Sequence, residues 1–274
     1  MPLEMPIVTT LIILVTTVVS FLAFKDEGLR EKLIFRPRAV LADKEYYRLF
    51  SSALLHADWE HLIFNMLTLY FFGRYMELVM GPWHFLLIYL VSILGGGLVS
   101  LYLHRNHEYA ALGASGGVCG VLFSYIFLFP GSDIMILFIP FGIPAWLYAI
   151  VFLVSEFAGL RGQRSNIGHD AHLGGAIIGL LTTTAMHPEI IGRSPWLYTA
   201  VLVLSGIMFV YLWKNPLYLP RRGFFDGGSG RKVKKEKPKP TAEEIDAVLE
   251  KVSRHGIQSL SERERRILQD ASRK

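Results

Sequence analysis

The sequence predicts an all-α integral membrane protein, and two observations carry that expectation. Of its 274 residues, 52% are hydrophobic, and the mean hydropathy of +0.37 lies well above that of an ordinary soluble domain. Runs with few or no charges recur at residues 6–24, 62–79, 83–103, 115–130, 134–158, 170–187 and 196–213. A helix needs roughly 20 residues to cross about 30 Å of hydrocarbon, so these runs amount to six core spans and a seventh apolar segment.

The first run is too long for the core of a signal peptide. Residues 1–6, MPLEMP, carry an acid and no basic side chain, and no small-x-small site precedes Lys25, so the run reads as a retained helix. The loop that follows, KDEGLREKLIFRPRAVLADKEYYRLFSSALLHADWEH, mixes charges with aromatics, which suits structure lying in the membrane interface. Residues 1–187 thus hold the core, and 188–213 add one more apolar segment. Residues 214–240 turn Gly-rich and then Lys/Pro-rich, a linker expected to be disordered.

Residues 241–274 form a small module. Thr241 and Glu244 have capping-box spacing, Ile245, Val248, Leu249 and Val252 make one helical stripe, and Gly256 supplies a stop. Ser261 and Glu264 then open a second helix carrying Ile267 and Leu268. The expected helical hairpin is too short to fold securely without docking on a partner or on another copy.

The fourth run opens on ALGASGGVCG, residues 111–120. A helix from Ser115 to near Phe129 is about 22 Å long, short of the hydrocarbon core, so one end lies below the membrane surface. Non-helical backbone at that depth is tolerated where it lines a cavity or is buried in protein, which puts Ser115 in a water-accessible recess. The free N–H groups and positive potential of the helix start suit a developing oxyanion. Cys119, the sole cysteine, can form no intrachain disulfide and reads as a small packing residue.

A serine nucleophile needs a base. In HDAHLGGAIIGLL, His172, Gly175 and Gly179 recur at spacings of three and four and share a helix face. Gly116 and Gly120 give the fourth helix a matching small surface, so the two helices can approach until Ser115 and His172 meet. His169 competes as the base but does not align with the glycines. Asp170 lies about 200° around the helix from His172 and reads as a charge at the helix N-terminus. In ALLHADWEHLIFNML, His61 and Asn65 stack at i and i+4, with His56 just before them. Taken singly, these are packing faces and interhelical hydrogen bonds. Beside an activated serine, an imidazole and an amide at this depth are oxyanion donors.

The set YRLFSSALLHADWEHLIFNMLTLYFFGRYME, GASGG and AHLGGAIIG resembles the rhomboid intramembrane serine proteases. Their hallmarks are His-x-x-x-Asn in the second helix, Gly-x-Ser-Gly opening the fourth, and Ala-His followed by spaced glycines in the sixth. The resemblance covers roughly residues 5–187. It implies a bundle of six core helices with substrate entering near the fifth, and a Ser115–His172 dyad with no acidic third member. It also implies an oxyanion site of His61, Asn65 and the backbone at Gly113 and Ser115, and structural roles for Arg48, His56 and Glu77. The implied activity is hydrolysis within or beside the transmembrane segments of membrane-protein clients, with no cofactor. The alternative is a non-proteolytic rhomboid-like protein that binds and escorts such clients; relatives of that kind typically lose the dyad, and here both members are present.

Three further expectations complete the reading. His56, His61, His169 and His172 lack carboxylate or Cys ligands at useful spacing, so no metal site is expected. The six Lys/Arg between Arg231 and Lys239 suit anionic lipid, at about 1 kcal/mol per charge, and lack the stacking aromatics of a nucleic-acid site. Basic residues concentrate in 25–60, which the positive-inside rule puts inside and the family arrangement puts outside. The family orientation is kept, in a bacterial-type plasma membrane.

Overall fold

Apolar runs punctuated by glycine, proline and charge become helices, and helices make up nearly all the regular structure. The computed structural model describes residues 6–106, 108–135, 140–162, 168–214 and 241–271, in two units, Met1–Gly227 and Gly228–Lys274. The expected disordered linker over 214–240 lies, but for Lys214, outside the described residues.

In the first unit, α1 (Ile7–Ala23) buries Thr9, Thr16, Ser20 and Ala23 while Leu11, Leu14, Val15 and Val18 point outward. Polar inside and apolar outside is the reverse of a soluble amphipathic helix and fits a hydrocarbon surround. The long loop folds into α2 (Glu27–Leu33), capped by the Asp26 carboxylate on the Leu29 N–H at 3.0 Å, then α3 (Pro37–Leu41) and α4 (Arg48–Ser51). Arg48 holds this loop together. Its Nη1 donates to the Glu31 and Ile34 carbonyls at 2.7 Å each, and its Nε pairs with Glu45.

Next, α5 (Trp59–Thr68) runs through a π turn, Leu69–Gly73, into α6 (Arg74–Met80). Glu77, buried on α6, reaches the start of α1. One carboxylate oxygen accepts from the Val8 N–H at 2.9 Å, and the other accepts from the Thr9 N–H and Oγ1 at 2.7 Å each. A carboxylate there satisfies the N–H groups that the first turn leaves without partners, and it meets the positive end of the helix.

The rest comprises α7 (Pro82–His104), α8 (Ser115–Leu128), a short β1–β2 hairpin (Asp133–Ile134 with Ile143–Pro144), α9 (Ala145–Gly162), α10 (His169–Met186), α11 (Ile190–Arg193) and α12 (Pro195–Lys214). The run read as a span from 134 therefore becomes helical only at Ala145, since Gly142 and Pro144 break the helix and the hairpin uses the first residues. Innermost is α8, with every residue but Ser115 and Tyr125 buried. Its most extensive neighbours are α7 and α10. Close approach to α10 depends on missing side chains: a Cβ on Gly175 would lie 2.9 Å from the Gly116 Cα, and one on Gly179 would collide with Gly120.

Among the described residues, two helices, Pro82–His104 and Pro195–Lys214, are by themselves long and apolar enough to cross a membrane; Ile7–Ala23, Ser115–Leu128 and Ala145–Leu160 are shorter apolar helices. In the second unit, α13 (Ala242–His255) and α14 (Glu262–Ala271) are joined by a Lys251–Glu264 ion pair at 2.8 Å, and Val248 and Leu260 are buried. Thr241 and Glu244 close a capping box at the start of α13.

Candidate active site

Ser115 is the first residue of α8. The backbone reaches it through Gly113, at φ +130°, a conformation that favours glycine; a Cβ there would also lie 2.9 Å from the His61 ring and 3.5 Å from Ser115 Oγ. On α10 the small face at Gly175 and Gly179 draws the helix against α8. Ser115 Oγ consequently sits 2.6 Å from His172 Nε2, within hydrogen-bond distance.

His61 and Asn65 rise from α5 beside this pair. Asp58 caps α5 by accepting from the His61 N–H at 2.8 Å, and the Asn65 amide donates to the His61 carbonyl at 2.9 Å. The amide keeps a second N–H. The expected oxyanion contribution of Gly113 does not hold as stated, because its N–H donates to the Ser52 carbonyl at 3.0 Å. What Gly113 supplies is room, and the Ser115 N–H has no helical turn before it to bond.

His56 explains how the approach to Ser115 is held. Its Nδ1 lies 3.0 Å from Ser20 Oγ, which donates to the Leu54 carbonyl at 2.8 Å, and its Nε2 accepts from the Ala114 N–H at 3.4 Å. These contacts fit one tautomer, with the proton on Nδ1. Burial, and then the neighbouring His61 ring, hold the His56 pKa down at about 3, so the ring stays neutral and can accept from Ala114. A cavity of about 40 Å³ opens behind Ser115, lined in part by Ser52, Ser100, Gly113 and Gly168; it has room for one or two water molecules.

The acids divide differently from the expected pattern. Asp170 faces away from the dyad, with Oδ1 accepting from the Tyr109 hydroxyl at 3.2 Å and Oδ2 lying 3.3 Å from His104 Nε2, while the His104 and Tyr109 rings stack at 3.7 Å. Burial, with the Asp170 charge, keeps the Tyr109 hydroxyl well above its usual range, so it remains a donor. Glu156, on α9, was not singled out from sequence. Its Oε2 lies 2.5 Å from His169 Nδ1 and 3.1 Å from His172 Nδ1; the second approach is at ion-pair distance but off the axis of a ring N–H bond. Among the described residues, Glu156, His169 and His172 are also the one group whose ligand atoms lie within reach of a single metal ion. His56 and His61, packed edge to face at 4.9 Å, belong to no such group.

Comparison with known proteins gives a consistent picture. Residues 43–189 match the family described as the Rhomboid domain, and residues 231–274 match a family of unknown function, DUF6576. The chain is 31% identical over 155 residues to Rhomboid protein 1, mitochondrial, of Saccharomyces cerevisiae, covering 54% of this chain and 45% of that protein. It is 34% identical over 152 residues to RHOMBOID-like protein 12, mitochondrial, of Arabidopsis thaliana, covering 48% and 44%. It is 30% identical over 178 residues to Rhomboid protease GluP of Bacillus subtilis, covering 64% and 33%. The chain thus spans about half the length, or less, of these curated relatives.

Proposed function

The chain belongs to the rhomboid family, and from that premise we propose that it is an intramembrane serine endopeptidase acting through a Ser115–His172 dyad. The observation that carries this reading is the 2.6 Å contact between Ser115 Oγ and His172 Nε2 at the start of a short, buried helix. Ser115 Oγ attacks the scissile carbonyl carbon as its proton passes to His172 Nε2. The oxyanion is received by the Ser115 N–H, the His61 ring and the second Asn65 N–H. Collapse breaks the C–N bond, and His172 returns the proton to the leaving amine. Water then attacks the acyl-serine with the same ring as base, the acyl C–Oγ bond breaks to release the new C-terminal acid, and His172 returns the proton to Ser115 Oγ; the cavity lined by Ser115 supports the supply of water.

The family makes the chain an integral membrane protein. We read α1, the continuous α5–α6, α7, α8, α9 and α10 as six crossings, with α12 as a seventh. The outward apolar side chains of α1, and of α12 at Val203, Ile207 and Val210, support that count. Clients are membrane proteins cleaved in or beside a transmembrane segment. The basic run at 231–239 suits anionic headgroups. We read the location as a bacterial-type plasma membrane; the relatives named above include a protein of Bacillus subtilis and mitochondrial proteins of yeast and Arabidopsis. The escort reading is disfavoured by the intact hydrogen-bonded pair.

Wild-type protein and the Ser115→Ala and His172→Ala variants, reconstituted in liposomes with a single-span reporter and a metal chelator, test the proposal. Cleavage by wild type that either substitution abolishes is expected. Cleavage surviving Ser115→Ala refutes the mechanism, and none by wild type across several reporters favours the escort protein.

A further inference from the structure

The apolar run AWLYAIVFLVSEFAGL contains one carboxylate, Glu156, at 9% exposure. An ionisable group in such a helix is costly and needs a partner or a task. Here α9 turns it toward α10, where Gly159, one turn on, leaves the gap that the His169 ring fills; a Cβ on Gly159 would lie 2.7 Å from His169 Cδ2. The carboxylate oxygen held by His169 at 2.5 Å therefore comes to rest 3.1 Å from Nδ1 of His172, the ring whose other nitrogen bonds Ser115.

We propose that Glu156 is a positioning residue for His172, an acidic third member supplied by α9, with His169 steering the carboxylate. The inference rests on the dyad reading above. When the Ser115 proton reaches His172 Nε2, the ring becomes an imidazolium, and a carboxylate 3.1 Å from Nδ1 stabilises that charge. Glu156 stays ionised throughout and accepts no proton. Asp170 cannot serve, being engaged with Tyr109 and His104. The other ionisable groups facing this pair, among the described residues, are His169 on α10, Cys119 on α8, Tyr148 on α9 and His61 on α5. None of these brings a second negative charge to His172 at neutral pH.

The test uses the full chain in liposomes with metal-free buffer, comparing wild type with Glu156→Gln, Glu156→Asp and His169→Gln. Two readouts are taken: reporter cleavage, and covalent labelling by a fluorophosphonate, which reports Ser115 reactivity without any peptide client. Glu156→Gln is expected to lower kcat and the labelling rate about 10- to 100-fold and to leave KM within about twofold. It should also move the acid limb of the kcat/KM profile to lower pH by about one pH unit or more. Glu156→Asp should recover part of the rate, and His169→Gln should move the acid limb in the same direction but by less than Glu156→Gln. A Glu156→Gln protein equal to wild type in rate and acid limb overturns the proposal. So does a His169→Gln protein that reproduces its whole effect, or a rate loss with an unmoved limb and a lowered unfolding midpoint. Zinc inhibition that Glu156→Gln relieves, at an unchanged metal-free rate, overturns it in favour of a metal site. A wild type that fails to label at Ser115 sinks the dyad reading itself, and is thereby told apart from failure of Glu156 alone.

Discussion

Replacing Gly175 by alanine tests whether the dyad distance is set by backbone contact between α8 and α10. The added Cβ would lie 2.9 Å from the Gly116 Cα and nearer still to the Gly116 carbonyl, against 3.4–4 Å for an ordinary contact. Both obstacles are backbone of a buried helix, so no side chain can rotate away and the helices must separate by about 1 Å. Ser115 and His172 stand one residue and one turn from this contact, so a separation of that size carries their 2.6 Å hydrogen bond to about 3.5 Å, beyond useful geometry. A misplacement near 1 Å costs about 100-fold in rate, and overpacking costs about 1–3 kcal/mol of stability. Initial cleavage rates and thermal unfolding of Gly175→Ala should show both losses. Gly206→Ala on α12, where an added Cβ meets nothing within 4 Å, should retain wild-type activity. A Gly175→Ala enzyme within twofold of wild type would refute the argument.

Two further expectations concern the groups that brace the site. The folded His56 ring is held at about 3 while an unfolded histidine titrates near 6.5, so the folded state binds fewer protons between these values. Its contribution to stability is complete above pH 6.5 and falls away as the pH drops, reaching a loss of about 3 kcal/mol at pH 4.5. Thermal unfolding at pH 7.5 and 4.5 should show a smaller acid loss in His56→Gln than in wild type; equal losses would count against a neutral, buried His56. Glu77→Gln places an NH₂ group where a carboxylate oxygen accepts from the α1 amides, at a cost of about 1.5–3 kcal/mol per lost charged hydrogen bond. A lowered unfolding midpoint with cleavage intact at low temperature is the expected result, and an unchanged midpoint would contradict it.

The sequence made some of this legible and hid the rest, for identifiable reasons. Helices are announced by long apolar runs, and the meeting of Ser115 with His172 by glycines at matching spacings on two of those helices, because small faces and reactive ends are local properties of each segment. Glu156 was hidden because its relation to His172 is not a spacing at all: the two lie on separate helices, and the α9–α10 contact that joins them depends on Gly159 and His169 together. The signal present was the lone carboxylate in an uncharged run, a default mark of function in a membrane. Gly113 misled for a similar reason. The residue type is right for the turn, but whether its N–H is available depends on Ser52, which the α4 region brings across from 61 positions earlier. The helix start at Ala145 was missed because hydropathy alone does not register the hairpin ahead of it.

The most direct measurement is the site and rate of covalent modification by a fluorophosphonate, read by peptide mass spectrometry on the reconstituted full chain. The account requires one adduct, on Ser115 of wild type, with labelling lost or slowed at least about 100-fold in His172→Ala. An adduct on another residue, or labelling of Ser115 at the same rate without His172, would contradict it.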